Sequence, residues 1–226
     1  MLLLRKQSQS PEGLAGEIYW YNHAPTELKD VVPMMTSYDA DQHQWYDMEK
    51  VAGVTLSRLH LSGELLEKEF AATMGTHSRI HKATSLTSAD KINIYDNYAR
   101  KMTTRYLEHR EYYDQFPGSA EVYRKLRVRL ELYEAEDRGC CTIIHGDPVL
   151  SNLLVDSLGK IKAVDMRGCQ GDTFTIYGDR TYDWAKVNQS LLGYDDVCHS
   201  RTLTEQARNQ ALALSTVLQV ACSRRA

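Results

Sequence analysis

The chain has 226 residues, of which 42% are hydrophobic, and this is enough for one large domain or two small lobes that share an interface. Its formal net charge of −3 gives no sign of a nucleic-acid-binding protein, and no apolar run approaches the ~20 residues that a membrane helix needs. The 5 cysteines have no CxxC spacing, which favours free thiols and a cytoplasmic protein over a disulfide framework.

The first part of the chain is predicted to be mainly strands. Residues 2–6 are a short apolar run that ends in a cation, which predicts a strand. Residues 8–16 are polar and contain proline and glycine, which predicts a loop. The aromatic-rich residues 17–22 could open a helix, and residues 45–51 are predicted to form a strand.

The middle of the chain is predicted to be helical, because apolar residues recur there near helical spacing. The three predicted helices are 63–82, 89–115 and 119–138. A short buried strand over 141–144 and a hairpin with strands 153–155 and 161–164 follow, and the chain from 182 onward is mostly helical. This order predicts an α+β fold in which a small β-rich lobe is joined to a larger helical lobe.

Three polar residues on either side of this hairpin have a spacing that points to chemistry. Asn152 follows Asp147 by 5 residues, and Asp165 follows Asn152 by 13. Protein kinases use an aspartate that orients a hydroxyl, then an asparagine and an aspartate that hold Mg²⁺, to move a phosphoryl group from ATP. Asp147 is therefore the candidate catalytic residue, and Asn152 and Asp165 are the candidate metal ligands. The alternative is that all three simply stabilise turns.

The segment His145-Gly146-Asp147 with Asn152 resembles the HGDxxxxN catalytic loop of the aminoglycoside phosphotransferase and choline kinase superfamily. The strand that ends in Asp165 is similar to that family's metal-binding turn, and Asp183 matches an aspartate near the start of its next helix. The resemblance implies a two-lobed protein-kinase-like fold, ATP and Mg²⁺ as cofactors, and a small-molecule acceptor. It also implies that His145 and Asp183 support the catalytic loop.

The resemblance extends to the beginning of the chain, where it implies a nucleotide site. Lys6 is similar to the lysine that pairs with the ATP phosphates, and Glu17 to the glutamate that orients this lysine. Met48, Glu49 and Val51 are similar to the hinge that receives adenine. The alternative for Lys6 is a solvated surface lysine.

The likeness departs from the family at the first residues, because the lysine strand begins at Met1 and the preceding phosphate-covering hairpin is absent. We therefore predict a truncated N-lobe and hinge over 1–52 and a helical C-lobe over 53–226, which could be a piece of a longer protein. The expected function is an ATP- and Mg²⁺-dependent kinase acting on a hydroxyl of a sugar, aminoglycoside-like or amino-alcohol acceptor. The alternative is a catalytically weak or inactive kinase-like nucleotide-binding or regulatory module.

The amino-acid sequence of the catalytic region is also similar to that of phosphotransferase-like domains that are linked with sugar nucleotidyltransferases in surface-polysaccharide synthesis. The matching segments are HGDPVLSNLLVD, VDMRG, YGDRTYDWAKV and LLGYDD. This likeness implies a nucleotidyltransferase as a partner or as a fused domain.

Overall fold

A computed structural model describes residues 2–85 and 92–223 of the protein. Its first part is an antiparallel sheet of β1 (Leu3–Gln7), β3 (Trp45–Glu49) and β2 (Met35–Tyr38), in that order, with helix α1 (Pro11–His23) against it. The register pairs Lys6 with Tyr46, so the candidate lysine lies in the middle of the β1–β3 ladder. A small core shared by the helix and the sheet is formed by Leu14, Ile18, Tyr46 and Met48.

Helix α1 begins earlier than the sequence predicted, so the loop predicted over 8–16 is confirmed for 8–10 and wrong for 11–16. The helix starts at Pro11, after Ser10 in an extended conformation. Proline suits the first helical position, because its fixed φ fits the helix and its missing N–H would have no partner there. The proline that was taken as a loop signal is therefore a helix-start signal.

Helix α1 lies unusually close to the turn that follows Asp165. A Cβ atom added to Gly16 would overlap the carbonyl oxygen of Arg167, and one added to Gly168 would overlap the carbonyl oxygen of Gly16. The buried indole of Trp20 donates a hydrogen bond of 2.8 Å to the carbonyl oxygen of Ile144. The helix is thereby fixed to both segments that carry the candidate catalytic and metal-binding residues.

The remainder of the described chain is mostly helical, with four short antiparallel pairings of strands. Its helices are α2 (Leu56–Ser62), α3 (Glu67–Lys82), α4 (Ala99–Glu108), α5 (Arg110–Tyr113), α6 (Ser119–Ala135), α7 (Arg180–Gln189), α8 (Asp195–Cys198) and α9 (Glu205–Ser223). Its strands are β4 (Val54–Thr55), β5 (Cys141–Ile143), β6 (Leu153–Val155), β7 (Ile161–Ala163), β8 (Cys169–Gln170), β9 (Thr173–Phe174) and β10 (Tyr177–Asp179). The pairings are β4–β6, β6–β7, β5–β10 and β8–β9.

Two predicted helices differ from the structure for local reasons. The helix predicted over 63–82 begins 4 residues too early and α2 was not predicted, because Gly63 at φ 76° ends α2 and α3 starts at Glu67. In the prediction over 89–115, residues 89–91 lie outside the described part, and α4 starts only at Ala99. The Asn93 side chain accepts a hydrogen bond from the N–H of Tyr95 and forms a turn that competes with helix. The helix from 119 and the hairpin are confirmed.

One large hydrophobic core joins α1 to the helical part and to the hairpin. Its fully buried side chains include Trp20, Leu56, Phe70, Ile80, Ile143, Leu150 and Leu153. Within residues 2–85 and 92–223, no helix combines the length and the apolarity required to cross a bilayer.

Candidate active site

The loop that follows β5 is held by its own side chains. The buried ring of His145 accepts a hydrogen bond of 3.3 Å at Nδ1 from the N–H of Asp147. Burial lowers the pKa of His145, so the ring stays neutral and can accept this bond. At the other end of the loop, the amide of Asn152 donates to the carbonyl oxygen of Asp147 at 3.0 Å. The loop conformation around Asp147 is thus fixed from both sides.

Asp183 holds the same loop from helix α7. Its two carboxylate oxygens accept hydrogen bonds from the N–H groups of His145 at 2.9 Å and Gly146 at 2.8 Å. His81 of α3 donates a third bond of 2.9 Å through Nε2. Complete burial acts to raise the pKa of Asp183, but the hydrogen bond and charge of His81 outweigh it and the pKa is lowered. The helix itself is capped by Asp179, which leaves Asp183 for the loop.

The turn that carries Asp165 is joined to the catalytic loop by two backbone hydrogen bonds. The N–H of Val164 donates to the carbonyl oxygen of Asn152, and the N–H of Arg167 donates to that of His145, each at 2.9 Å. Asp165 lies between these two bonds in a left-handed conformation at φ 58°. The two bonds therefore set Asp165 beside the loop that contains Asp147 and Asn152.

Lys6 reaches this turn from the first strand. Its Nζ atom is 2.8 Å from both Glu17 Oε2 and Asp165 Oδ1, and Tyr46 donates a hydrogen bond of 2.6 Å to the same Glu17 oxygen. Burial acts to lower the pKa of Lys6, but the two carboxylates outweigh this effect and raise the pKa, so the amine stays protonated. Burial raises the pKa of Glu17, the more enclosed of the two acids. Lys6 is therefore not a solvated surface lysine.

The side chains of Asn152 and Asp165 offer oxygen atoms of the kind that Mg²⁺ prefers. The Asn152 amide nitrogen is used by the loop, so its oxygen is the atom that remains, and it accepts only a long bond of 3.4 Å from Ser151. Mg²⁺ is usually held by one or two protein groups together with water and phosphate oxygens. A pair of this composition fits that ion, although the residues described contain no group of three or more acidic, histidine or cysteine side chains arranged to hold a metal ion.

The three candidate hinge residues lie at the end of the first sheet. The side chain of Met48 is buried in the small core, and Glu49 is 3.3 Å from Lys162 of β7. Val51 follows β3 and leads to Gly53, where a Cβ atom would be 2.7 Å from the carbonyl oxygen of Val155. The hinge thus runs close to β6, directly after Asn152, and a contact with adenine stays a prediction.

Sequence reasoning missed Lys186, which lies beside the candidate catalytic carboxylate. Its Nζ atom is 2.9 Å from Asp147 Oδ1, without the angle that a hydrogen bond requires. This Oδ1 atom is buried and accepts no hydrogen bond from the described residues. Lys186 is 3 residues beyond Asp183 on α7, and that helical spacing, which places both on one face, could have identified it.

A cavity of about 750 Å³ opens next to Asp147, between α4, α6 and α7. It is distinct from the Lys6 cluster, because Lys6, Asn152 and Asp165 are not among its walls. The polar and aromatic residues that line it include Tyr98, Lys101, Arg105, Tyr106, Tyr123, Arg167, Tyr182, Lys186 and Tyr194. Arg167, Tyr182, Lys186 and Tyr194 lie in segments quoted for the sequence resemblance, but none of the lining residues named here is among the predicted site residues.

Comparisons with solved structures identify the fold. An aminoglycoside phosphotransferase of Streptomyces rimosus, in complex with ADP and streptomycin, is 13% identical and has a TM-score of 0.56, over 94% of this chain and 85% of that chain. A choline kinase of Streptococcus pneumoniae is 15% identical with a TM-score of 0.55, over 97% and 78%. A thermostable mutant of the aminoglycoside phosphotransferase APH(4)-Ia is 15% identical with a TM-score of 0.57, over 99% and 81%.

The protein has the two-lobed kinase-like fold of the aminoglycoside phosphotransferases and choline kinase, with a small β-rich lobe and a larger helical lobe. The predicted fold class is confirmed, and the resemblance is confirmed at the level of the fold; the link to surface-polysaccharide synthesis stays a prediction. A scan of protein-family models and a search of curated protein sequences gave no match, so the likeness is one of structure.

Proposed function

We propose that the protein is an ATP- and Mg²⁺-dependent phosphotransferase that moves the γ-phosphate to a hydroxyl group of a small molecule. The observation that carries this proposal is the position of Lys6. Its Nζ atom lies 2.8 Å from Glu17 and from Asp165, although Asp165 is 159 residues further along the chain. A lysine between an orienting glutamate and a metal-binding aspartate is the arrangement that a kinase needs for the triphosphate.

Each polar group of the site then has a role in positioning. Asp147 accepts a hydrogen bond from the acceptor hydroxyl through its partly exposed carboxylate, whose Oδ1 atom is paired with Lys186, and aligns that hydroxyl with the γ-phosphorus. Lys6 binds the α- and β-phosphates, and Glu17 fixes its direction. Asn152 and Asp165 hold Mg²⁺, which when bound neutralises charge on the phosphate oxygens. These roles need little movement, because the loop is already held by backbone and side-chain bonds.

The lobes and the hinge have complementary roles in this proposal. Residues 1–52 supply Lys6, Glu17 and the hinge. The hinge residues Met48, Glu49 and Val51 contact adenine. Residues 53–226 supply the catalytic loop and the acceptor site. The complex of the Streptomyces rimosus enzyme with ADP and streptomycin supports a nucleotide and a hydroxylated acceptor in a fold of this kind. A nucleotidyltransferase partner stays a prediction from the sequence resemblance.

A thermal-shift comparison of Mg²⁺-ATP with Mg²⁺ alone tests the nucleotide site. Binding should stabilise the protein by about 2.7 kcal/mol when the ligand concentration is 100 times the dissociation constant. Lys6→Met should abolish most of this shift, because the triphosphate loses its cation. Lys160→Met, at an exposed position of the β6–β7 turn, is the matched control and should keep the shift. An equal shift in both variants would contradict the role of Lys6.

Formation of ADP from ATP tests the chemistry separately. Asp147→Asn should lower the rate by at least about 100-fold, the lower end of what a positioned acid or base contributes. Asp41→Asn, on an exposed loop, should have the rate of the unmodified protein. Equal rates for the two variants would refute the catalytic role. Nucleotide binding without any turnover would favour the alternative, a kinase-like nucleotide-binding module.

A further inference from the structure

The cavity beside Asp147 has a large excess of positive charge. Lys101, Arg105, Arg167 and Lys186 line it, and the only carboxylate among its described lining residues is that of Asp147. Lys186 is paired with this carboxylate at 2.9 Å. Within the described ranges, the other three cations form no ion pair with an acidic side chain. Three positive charges in one cavity are therefore uncompensated.

The local contacts of these cations show the same deficit. The Nε atom of Arg167 is buried and has no hydrogen-bond partner in the described part of the chain. Lys101 donates only a long bond of 3.4 Å to Asn97. Burial and the nearby charges of Arg167, Arg105 and Lys186 lower the pKa of Lys101 to about 8. A buried or half-buried cation without a partner is costly, so this arrangement favours a bound anion.

We propose that the acceptor carries an oxyanion group, a phosphate or a carboxylate, in addition to its hydroxyl, and that Lys101, Arg105 and Arg167 bind this group. The inference rests on the proposed function, because the cavity is an acceptor site only if Asp147 orients a hydroxyl. Arginine suits this role, since its planar guanidinium binds two oxygens of a phosphate or a carboxylate at once.

A cationic acceptor, such as an aminoglycoside or choline, fits this cavity less well. An ammonium group would enter a space with three unpaired positive charges, whereas a polycation needs carboxylates around it. Several tyrosine rings of the cavity already have their faces in use, and Lys186 lies over that of Tyr194 at 5.6 Å. Tyr106 is stacked on Tyr123 with a centroid distance of 4.0 Å and on Tyr113 with 5.5 Å. A cation–π site needs ring faces that are open to the ligand.

The oxyanion group positions the acceptor and is unchanged by the reaction. The hydroxyl oxygen of the acceptor forms a bond to the γ-phosphorus, while the bond from this phosphorus to the β–γ bridging oxygen breaks. ADP leaves with the electron pair of that bond. The hydroxyl proton passes to the carboxylate of Asp147 and then to water. Lys101 and Arg105, one turn apart on α4, hold the far end of the acceptor during this step.

Inorganic phosphate, with Mg²⁺-ADP occupying the nucleotide site, is a suitable probe of the cavity. Thermal unfolding is followed while phosphate, acetate, chloride or choline chloride is added at constant ionic strength. Phosphate or acetate should raise the melting temperature above the chloride series, and the stronger of the two identifies the class of oxyanion. Choline should have no effect beyond that of chloride.

Arg105→Gln tests whether this effect belongs to the cavity. Arg105 is exposed at one side of the cavity, so the variant should fold. Its apparent affinity for the oxyanion should fall about 10-fold, the factor that about 1.4 kcal/mol of binding energy produces. Arg129→Gln, on the exposed surface of α6 outside the cavity, is the matched control and should keep the affinity.

The outcomes separate this inference from the function on which it rests. If neither oxyanion stabilises the protein more than chloride does, if choline stabilises it instead, or if Arg105→Gln and Arg129→Gln behave alike, the inference is overturned. If Mg²⁺-ADP itself gives no shift, the proposed function fails first. A shift with Mg²⁺-ADP and none with the oxyanions removes the anionic acceptor alone.

Discussion

The exchange Asp183→Asn should destabilise the protein strongly, and the same exchange at Asp195 should not. Both carboxylates are buried, with 0% and 1% of the residue exposed. They differ in their partners. Asp183 accepts three hydrogen bonds through both oxygens. Asp195 has only the neutral hydroxyl groups of Ser57, 2.9 Å from Oδ1, and Ser190 beside it in the described chain, and its Oδ2 atom accepts no hydrogen bond of good geometry there. The pair therefore compares a carboxylate that is fully used with one that is not.

The magnitude follows from the donors around Asp183. An asparagine has one acceptor oxygen, so its NH₂ group must face either the N–H of Gly146 or the N–H groups of His145 and His81. The variant loses a charge-assisted bond of about 1.5–3 kcal/mol and leaves a buried donor unsatisfied, at about 1–3 kcal/mol. The free energy of unfolding should fall by about 3–5 kcal/mol, a large part of the ~5–15 kcal/mol that typical domains possess.

The control position has the opposite electrostatics. Burial raises the pKa of Asp195, so the ionised form costs free energy at neutral pH and an uncharged amide removes that cost. Asp195→Asn should change the free energy of unfolding by less than about 1 kcal/mol, the net value of a typical hydrogen bond. Urea unfolding followed by tryptophan fluorescence measures both variants. If the free energy of unfolding falls no more for Asp183→Asn than for Asp195→Asn, the role of Asp183 in holding the loop around Asp147 is refuted.

Three further variants test other parts of the structure. Burial lowers the pKa of His77 to about 4, so protonation favours the unfolded chain and the free energy of unfolding should decrease as the pH falls from ~6.5 towards ~4. In urea unfolding, the decrease should be smaller for His77→Gln by up to about 3 kcal/mol. Gly168→Ala should reduce the Mg²⁺-ATP thermal shift, because the added Cβ atom would displace Gly16 and α1. Gly159 also has a positive φ, 76°, but a Cβ atom there would meet no other atom within 4 Å, so Gly159→Ala should keep the shift. Lys186→Met should lower the rate of ADP formation by about 10-fold, the factor that about 1.4 kcal/mol produces. The Mg²⁺-ATP shift should stay unchanged, because Lys186 contacts Asp147, Gln189 and Tyr194 and none of the Lys6 cluster; an altered shift would contradict this role.

The parts of the site that could be predicted from sequence are those whose chemistry depends on short spacing. The 5-residue interval between Asp147 and Asn152 fits one loop, and that loop is closed by their mutual hydrogen bond. The start of α1 was missed because a proline signals either a loop or the first turn of a helix. Only packing decides between these, and here Trp20 anchors the helix to the carbonyl of Ile144.

The charge of the cavity beside Asp147 could not be predicted, because each cation in it fits an ordinary surface position equally well. Lys101 and Arg105 are one turn apart on α4, Arg167 follows the metal-binding turn, and Lys186 is on α7. A cation is normally balanced by a neighbour in space, and sequence does not reveal whether that neighbour exists. The unpaired Nε atom of Arg167 becomes visible only when the surrounding segments are assembled.

Arg167 also links the nucleotide side of the site to the acceptor side. Its carbonyl oxygen touches Gly16 of the helix that orients Lys6, its N–H binds the catalytic loop at His145, and its side chain lines the cavity. If α1 shifts when a nucleotide binds, the shift should also move Arg167, which we propose as a ligand of the acceptor. Because coupling between two binding sites is reciprocal, the affinity for the oxyanion probe should change when Mg²⁺-ADP is added, and by the same factor as the nucleotide affinity changes with the probe. Titration of each ligand with and without the other measures this factor, and equal affinities in all cases would show that Arg167 transmits nothing.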